Sequence, residues 1–243
     1  MSEPRTAIVT GAGKRVGAVI AAGLAADGWT VLGHVHHAGD EVPQGVQRVV
    51  AELTDAACAK AIFGAADGLP PVRLLVNNAA RFARDEIGAF DPEELDAHIA
   101  VNLRAPILLT EELSRRHQPG DDALIVNLLD SKLAAPNPDF ISYTLSKQAL
   151  AGFTELAARA LASQGLRVNG IAPALMLRSS GQTEENFERV HARNPLRRGV
   201  EPADVLSAIR YFISAPRVTG EVVQIDGGQR FAPPERDVQF LQP

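Results

Sequence analysis

The sequence predicts a single α/β domain, an open sheet buried between helices, on three observations. Its 243 residues, 46% of them hydrophobic, are enough to bury one full sheet. Seven short apolar runs are interleaved with stretches of helical period along the chain. The first of these runs enters a glycine-rich turn that opens straight into a helix. No linker or internal repeat divides residues 1–228, and residues 229–243 form a distinct tail. The start MSEPRTAIVTG lacks a signal-like apolar region, and nothing later approaches a membrane span. A cytoplasmic location follows by default. A net charge of −5 and the lack of a basic stripe with interleaved aromatics argue against nucleic acid as a partner. Cys58 is the single cysteine, so no disulfide forms within the chain, and inert burial is expected for it.

Thr6 to Thr10 is β-branched and apolar, fit for a buried strand, and Gly11-Ala-Gly-Lys-Arg-Val-Gly17 follows before a helix over 18–26. Gly11 allows a tight turn, Gly13 lets backbone approach phosphate, and Gly17 permits close packing. Amides at the helix start, around Lys14, Arg15 and Val16, then suit a pyrophosphate. The second strand, Trp29 to Val35, ends at His36 and His37 rather than at the acid that would bind adenosine ribose hydroxyls. With Arg15 nearby, this tip favours a 2'-phosphate and so NADP(H), although Asp40 and Glu41 soften the positive field. Strand three, 46–51, leads to Glu52 and Leu53 and a helix through Ala66. Glu52 has two readings, an acceptor for the adenine amino group or a helix cap.

Strand four, 72–76, ends in Asn77-Asn78-Ala79-Ala80. Amides there can tie adjacent loops together, and small alanines leave room for a flat cofactor. Asp91-Pro-Glu-Glu94 signals a helix start, and a long helix from about His98 to Arg116 is expected to be interrupted at Pro106. Asn102 on it either steadies a loosened backbone or holds water for proton relay to a lysine. Strand six, 166–171, runs into Ala172-Pro-Ala-Leu-Met176. Residues 181–194 are expected to be helical, as a substrate lid or a surface excursion, with Arg178, Gln182 and His191 as candidate substrate contacts. A helix over 203–213 and a strand within 218–228 follow. The proline-rich, charged tail is expected to be irregular, either a disordered end or a segment packing across a subunit interface.

The chemistry gathers after strand five, Ala123 to Asn127. Asp130 lies just past the carboxyl end of that strand, where ligands collect in open α/β sheets. Tyr143 and Lys147 stand four apart at the start of a helix containing Leu150, Phe153, Leu156 and Ala157, so they share a face. An ammonium near a phenol lowers the phenol pKa toward a useful range, and that is the expectation for Tyr143. No metal is assigned to the site.

TGAGKRVG, NNAA at 77–80, Asn102, YTLSK, RVNGIAP and the late TG…IDGG, in this order, resemble the short-chain dehydrogenase/reductase family over essentially the whole chain. The resemblance implies a Rossmann-like, doubly wound, seven-stranded parallel sheet, nicotinamide-dependent hydride transfer and a homotetramer. It implies Tyr143 as catalytic acid/base, Lys147 on the nicotinamide ribose, Asn102 in support of the relay, and Pro173 framing the carboxamide. The family ordinarily has serine where this chain has Asp130, with Ser131 one place out of register. An ionised aspartate accepts hydrogen bonds and repels a developing oxyanion, but suits a substrate rich in N–H groups. The same exchange is what the pteridine reductases and bacterial dihydromonapterin/dihydrofolate reductases of the family look like. Arg15 in the place of a glycine, the string His34-Val-His36-His37 and Phe82 at the pterin-stacking position agree with them, as does the loop carrying Leu175 and Met176. Ala80 departs from the serine of the protozoan enzymes. The expected activity is therefore NADPH-dependent reduction of a dihydropterin. The alternatives are a carbonyl reductase, for example of a 3-oxoacyl thioester, and a non-catalytic nucleotide-binding subunit.

Overall fold

A computed structural model describes residues 3–118, 120–178 and 182–241. Seven strands, β1 Thr6–Val9, β2 Thr30–Val35, β3 Val46–Val50, β4 Val72–Asn77, β5 Ala123–Leu128, β6 Leu166–Pro173 and β7 Val222–Ile225, form one sheet. All neighbours are parallel and the order is β3-β2-β1-β4-β5-β6-β7. The chain winds outward from β1 in one direction and returns to β4 on the other side. That reversal opens a crevice at the carboxyl ends of the central strands.

Helices cover both faces, so β1, β5 and β6 are buried at every residue; β1 and β5 read as near-continuous apolar runs, while β6 also buries Arg167 and Asn169. On one face α2 Cys58–Gly64, α4 Ala105–Arg116 and α5 Ile141–Leu161 enclose Phe63, Leu109, Leu113 and Ile125. On the other, α1 Arg15–Ala26 and α7 Pro202–Ser214 enclose Ile20, Leu24, Ile209 and Phe212. Cys58 is a buried free thiol, and burial pushes its pKa up. Among the described residues no helix is long and apolar enough to cross a membrane.

The helix expected from His98 begins earlier. Asp91 accepts from the Glu93 amide at 2.9 Å, and α3 runs Pro92–Ile99 from that cap. It passes through a π-turn, Ala100–Arg104, into α4 without a break at Pro106. A proline ring in an α-helix collides with the carbonyl four residues back, and one wider turn ahead of Pro106 relieves this. The helix expected within 181–194 is α6, Glu184–His191, begun by Thr183, whose hydroxyl accepts from Asn186 N at 3.2 Å. Gly181 and residues 242–243 lie outside the described residues. The tail contains two short 3-10 turns, Gln229–Phe231 and Val238–Phe240, and packs on its own chain.

Candidate active site

The carboxyl ends of the central strands open into one cleft of about 1010 Å³. It is lined by the glycine turn (Gly11, Gly13, Lys14, Arg15, Val16), by His36, His37, Glu52 and Leu53, and by Asn78, Ala79, Ala80 and Phe82. Asp130, Tyr143, Lys147, Pro173, Leu175 and Met176 complete its wall. Of the residues expected to act here, Asn102 and the candidate substrate contacts Arg178, Gln182 and His191 are absent from the lining.

Tight packing shapes the glycine turn. Gly11 has φ +67°, and a Cβ on Gly17 would stand 2.0 Å from the Gly11 carbonyl oxygen. The Asn78 amide donates to the carbonyls of Thr10 at 2.8 Å and Gly11 at 3.3 Å, tying the ends of β1 and β4 together as expected. Buried His34 accepts from the Gly11 amide through Nδ1 at 3.2 Å, and its Nε2 donates to the Ala51 carbonyl at 3.0 Å. Burial lowers its pKa, which keeps the ring neutral and suits it to accept. Helix α1 starts with no side-chain cap on its amides and no acid in its first turn. Uncapped amides beside Lys14, in a turn with no room for side chains, fit an anionic dinucleotide.

At the end of β2 the rings of His36 and His37 lie 3.9 Å apart. His36 Nε2 pairs with Glu52 Oε2 at 2.6 Å. Glu52 also accepts from the Thr54 amide at 2.9 Å, and these contacts hold its carboxyl down to about 2. It does not cap α2, whose start at Ala57 makes no side-chain cap.

The reaction centre lies past β5. Asp130 begins a 3-10 turn, Ser131–Leu133, with Oδ1 accepting from the Lys132 amide at 2.8 Å. Its Oδ2 accepts from the Tyr143 hydroxyl at 2.8 Å. Lys147 Nζ donates to the Leu128 carbonyl at 2.6 Å and stands 5.8 Å from the centroid of the Tyr143 ring. Burial pushes the Asp130 carboxyl up and brings Lys147 down to about 8. The expected lowering of the Tyr143 pKa is not found. Burial, and next the adjacent Asp130 carboxylate, push it well above its ordinary value.

Asn102 is buried and hydrogen-bonded within the chain. Its amide donates to the Arg81 carbonyl at 3.0 Å and Ser146 Oγ at 2.9 Å, and its oxygen accepts from the Arg81 amide at 2.8 Å. It clamps the loop after β4 to α5 from within the π-turn. That loop carries Phe82, stacked on Phe140 at 4.3 Å, edge-on to Tyr143 at 4.7 Å, and 43% exposed. Asp85, buried in the same loop, accepts from the Ser142 amide at 3.1 Å and from the Ser142 hydroxyl. It thereby caps α5, whose N-cap residue Phe140 is left-handed at φ +58° and makes no side-chain cap.

The family model described as Enoyl-(Acyl carrier protein) reductase matches residues 11–230. The chain belongs to the short-chain dehydrogenase/reductase family. This short-chain reductase is 30% identical to Pteridine reductase 1 of Leishmania tarentolae, over 91% of this chain and 95% of that protein. It is 28% identical to a 3-oxoacyl-[acyl-carrier-protein] reductase of Synechocystis, over 92% of this chain and 96% of that one. Among solved structures, FolM Alternative dihydrofolate reductase 1 from Brucella canis, complexed with NADP, matches with a TM-score of 0.86 and 35% identity over 97% of each chain.

Within the short-chain reductase fold Arg15 occupies a strained position, φ +53°, which a glycine adopts without cost. Its guanidinium donates to the carbonyls of Arg178 at 3.0 Å and Leu177 at 3.4 Å, holding the loop after β6. The candidate substrate contacts Arg178, Gln182 and His191 turn instead to Glu184, Asn186 and the Val200 carbonyl. Sequence reasoning missed Lys132, Pro234, Asp237, Val238 and Gln239, which line the same cleft. A lysine two residues past the strand-end aspartate was the one available signal.

Proposed function

We propose that this short-chain reductase uses NADPH to reduce the C=N bond of a 7,8-dihydropterin to the tetrahydro form. The observation that carries the reading is the 2.8 Å hydrogen bond from Tyr143 to a carboxylate at the position where a ketone reductase of the family has serine. The glycine turn, the uncapped start of α1 and the histidines ending β2 would hold NADPH, which supplies a hydride when bound. A phenol whose pKa is pushed up keeps its proton and is suited to deliver it to the ring nitrogen beside the carbon that receives hydride. Asp130, also raised by burial, can restore that proton. Its second function is to accept from N–H groups of the substrate. Phe82, exposed at the cleft, offers a face on which a flat heterocycle can stack. Similarity to a pteridine reductase and to an alternative dihydrofolate reductase supports the same reading. Association into a homotetramer belongs to the proposal, with Leu145 and Leu156 of α5 exposed and available for it.

The test is NADPH oxidation by the purified protein with 7,8-dihydromonapterin, dihydrobiopterin, dihydrofolate and a small 3-oxoacyl thioester, each repeated with NADH. Turnover of a dihydropterin with NADPH well above that of the thioester is expected. Turnover of the thioester alone would replace this reading with carbonyl reduction, as in the Synechocystis relative.

A further inference from the structure

We propose that the C-terminal segment 232–241 is a positioning element of its own chain's reaction centre, acting on Tyr143 and Asp130 through Asp237 and Lys132, and on Phe82 through Phe240. The proposal rests on the preceding reading in that Tyr143 is the proton donor and Phe82 the stacking platform.

Two chains of contact run from the segment into the cleft, touching where Lys132 lies over Phe140 at 4.9 Å and Arg236 over Phe240 at 5.6 Å. The first is ionic. Lys132 Nζ, largely buried, meets Asp237 Oδ2 at 2.8 Å, and the backbone amide of the same lysine orients Asp130. Asp237 is itself buried, and its amide donates to Asp139 Oδ2 at 2.7 Å. Arg236 grips the buried Asp139 carboxylate through Nε at 2.9 and 3.0 Å and approaches Glu86 at 3.9 Å. The groups facing Asp130 are Lys132, Tyr143 and Lys147, and the negative charge of Asp237 reaches Tyr143 as well. Burying this many charges is costly unless each is paired, so their arrangement is rigid.

The second chain is aromatic. Phe240 stacks on Phe140 with centroids 6.0 Å apart and planes at 11°, and Phe140 stacks on Phe82 at 4.3 Å. The Arg84 guanidinium covers Phe240 at 4.4 Å. Beyond the stack, the Leu241 carbonyl accepts from Arg189 at 2.7 Å and from Asn186 at 3.3 Å, which fastens the segment to α6. Pro234, Asp237, Val238 and Gln239 line the cleft itself. The tail thus forms a wall of the site rather than a cover over it.

Two variants separate the chains, D237N and F240L, each measured for NADPH affinity, kcat, KM and the pH dependence of kcat. In D237N the Lys132 ammonium is left to favour the charged form of Asp130, and the anion that helps hold the Tyr143 proton is gone. Both effects shift the pH profile the same way, to lower pH by about half a unit, with kcat down about ten-fold. In F240L the platform loosens, and KM for the dihydropterin rises about five-fold with a smaller change in kcat. NADPH affinity stays within about two-fold in both. If D237N does not fold, F240L decides alone. Kinetics of both variants indistinguishable from the parent would overturn the proposal, as would a loss of NADPH affinity matching the loss of turnover, which signals general loosening. Should the parent reduce only the thioester, the pterin reading fails by itself. The same variants are then read on the thioester, where Tyr143 still supplies the proton.

Discussion

Tyr143 donates its phenolic hydrogen to Asp130 at 2.8 Å, while the Lys147 ammonium turns to the Leu128 carbonyl at 2.6 Å and stands 5.8 Å from the tyrosine ring. The sign of the electrostatics at the reacting hydroxyl follows from this. An adjacent carboxylate holds a phenolic proton on, whereas an adjacent ammonium draws it off. The arrangement holds the proton on the Tyr143 phenol.

Tyr143→Phe removes that proton and little else, since the ring keeps its edge contact with Phe82 at 4.7 Å. Turnover is expected to fall by about 10²–10⁴-fold. NADPH affinity, followed by fluorescence titration, should be nearly unchanged. A variant that no longer binds NADPH would contradict the role.

Asp130→Ser exchanges an acceptor for a neutral donor at the same place. Dihydropterin reduction should drop, and the ratio of ketone to pterin turnover should rise, because a hydroxyl can support an oxyanion that a carboxylate repels. The two rates measured side by side give the answer. Pterin turnover left untouched would remove Asp130 from the mechanism.

Lys147 makes stability depend on pH. Its pKa is about 8 in the folded chain against 10.5 ordinarily, so between these values the unfolded chain carries the extra proton. Stability then rises with pH by up to about 1.4 kcal/mol per unit. Cys58 acts in the opposite sense from about pH 8 upward and Tyr143 from about pH 9, since burial keeps their protons on as the unfolded chain loses its own. Urea denaturation should show that stability changes between pH 8 and 9 by about 1 kcal/mol more favourably in the parent than in Lys147→Met.

Gly17→Ala places a Cβ 2.0 Å from the Gly11 carbonyl oxygen and 2.5 Å from the Asn78 amide. Backbone must move, at a cost of about 1–3 kcal/mol. NADPH binding should weaken with the loss of stability, and calorimetry with and without NADPH measures both.

Asp85→Ala leaves the Ser142 amide and hydroxyl, in the first turn of α5, without their acceptor in a buried setting. A loss of about 1–3 kcal/mol is expected in denaturant unfolding. Because the same loop carries Phe82, KM for the substrate should rise together with it.

Strand positions and their near-continuous apolar character were legible because buried parallel strands leave a plain signature in composition. The glycine turn and the Tyr143–Lys147 face were legible for the same local reason, since spacing alone puts those groups together. The π-turn at 100–104 was not, because a proline in a helical run reads as a break unless the wider turn is known. Asn102 was read either as steadying a loosened backbone or as serving a relay, and its side-chain hydrogen bonds go to Arg81 and Ser146. Sequence by itself determined the family, the fold, the cleft at the strand ends and the presence of Asp130 beside Tyr143. Tertiary structure decided that the phenol donates to Asp130 at 2.8 Å, and that Lys132 and Asp237, 105 residues apart, meet at 2.8 Å. Those outcomes depend on distances of a few ångströms between remote segments, and Coulombic effects at that range are set by geometry that no local pattern of residues encodes.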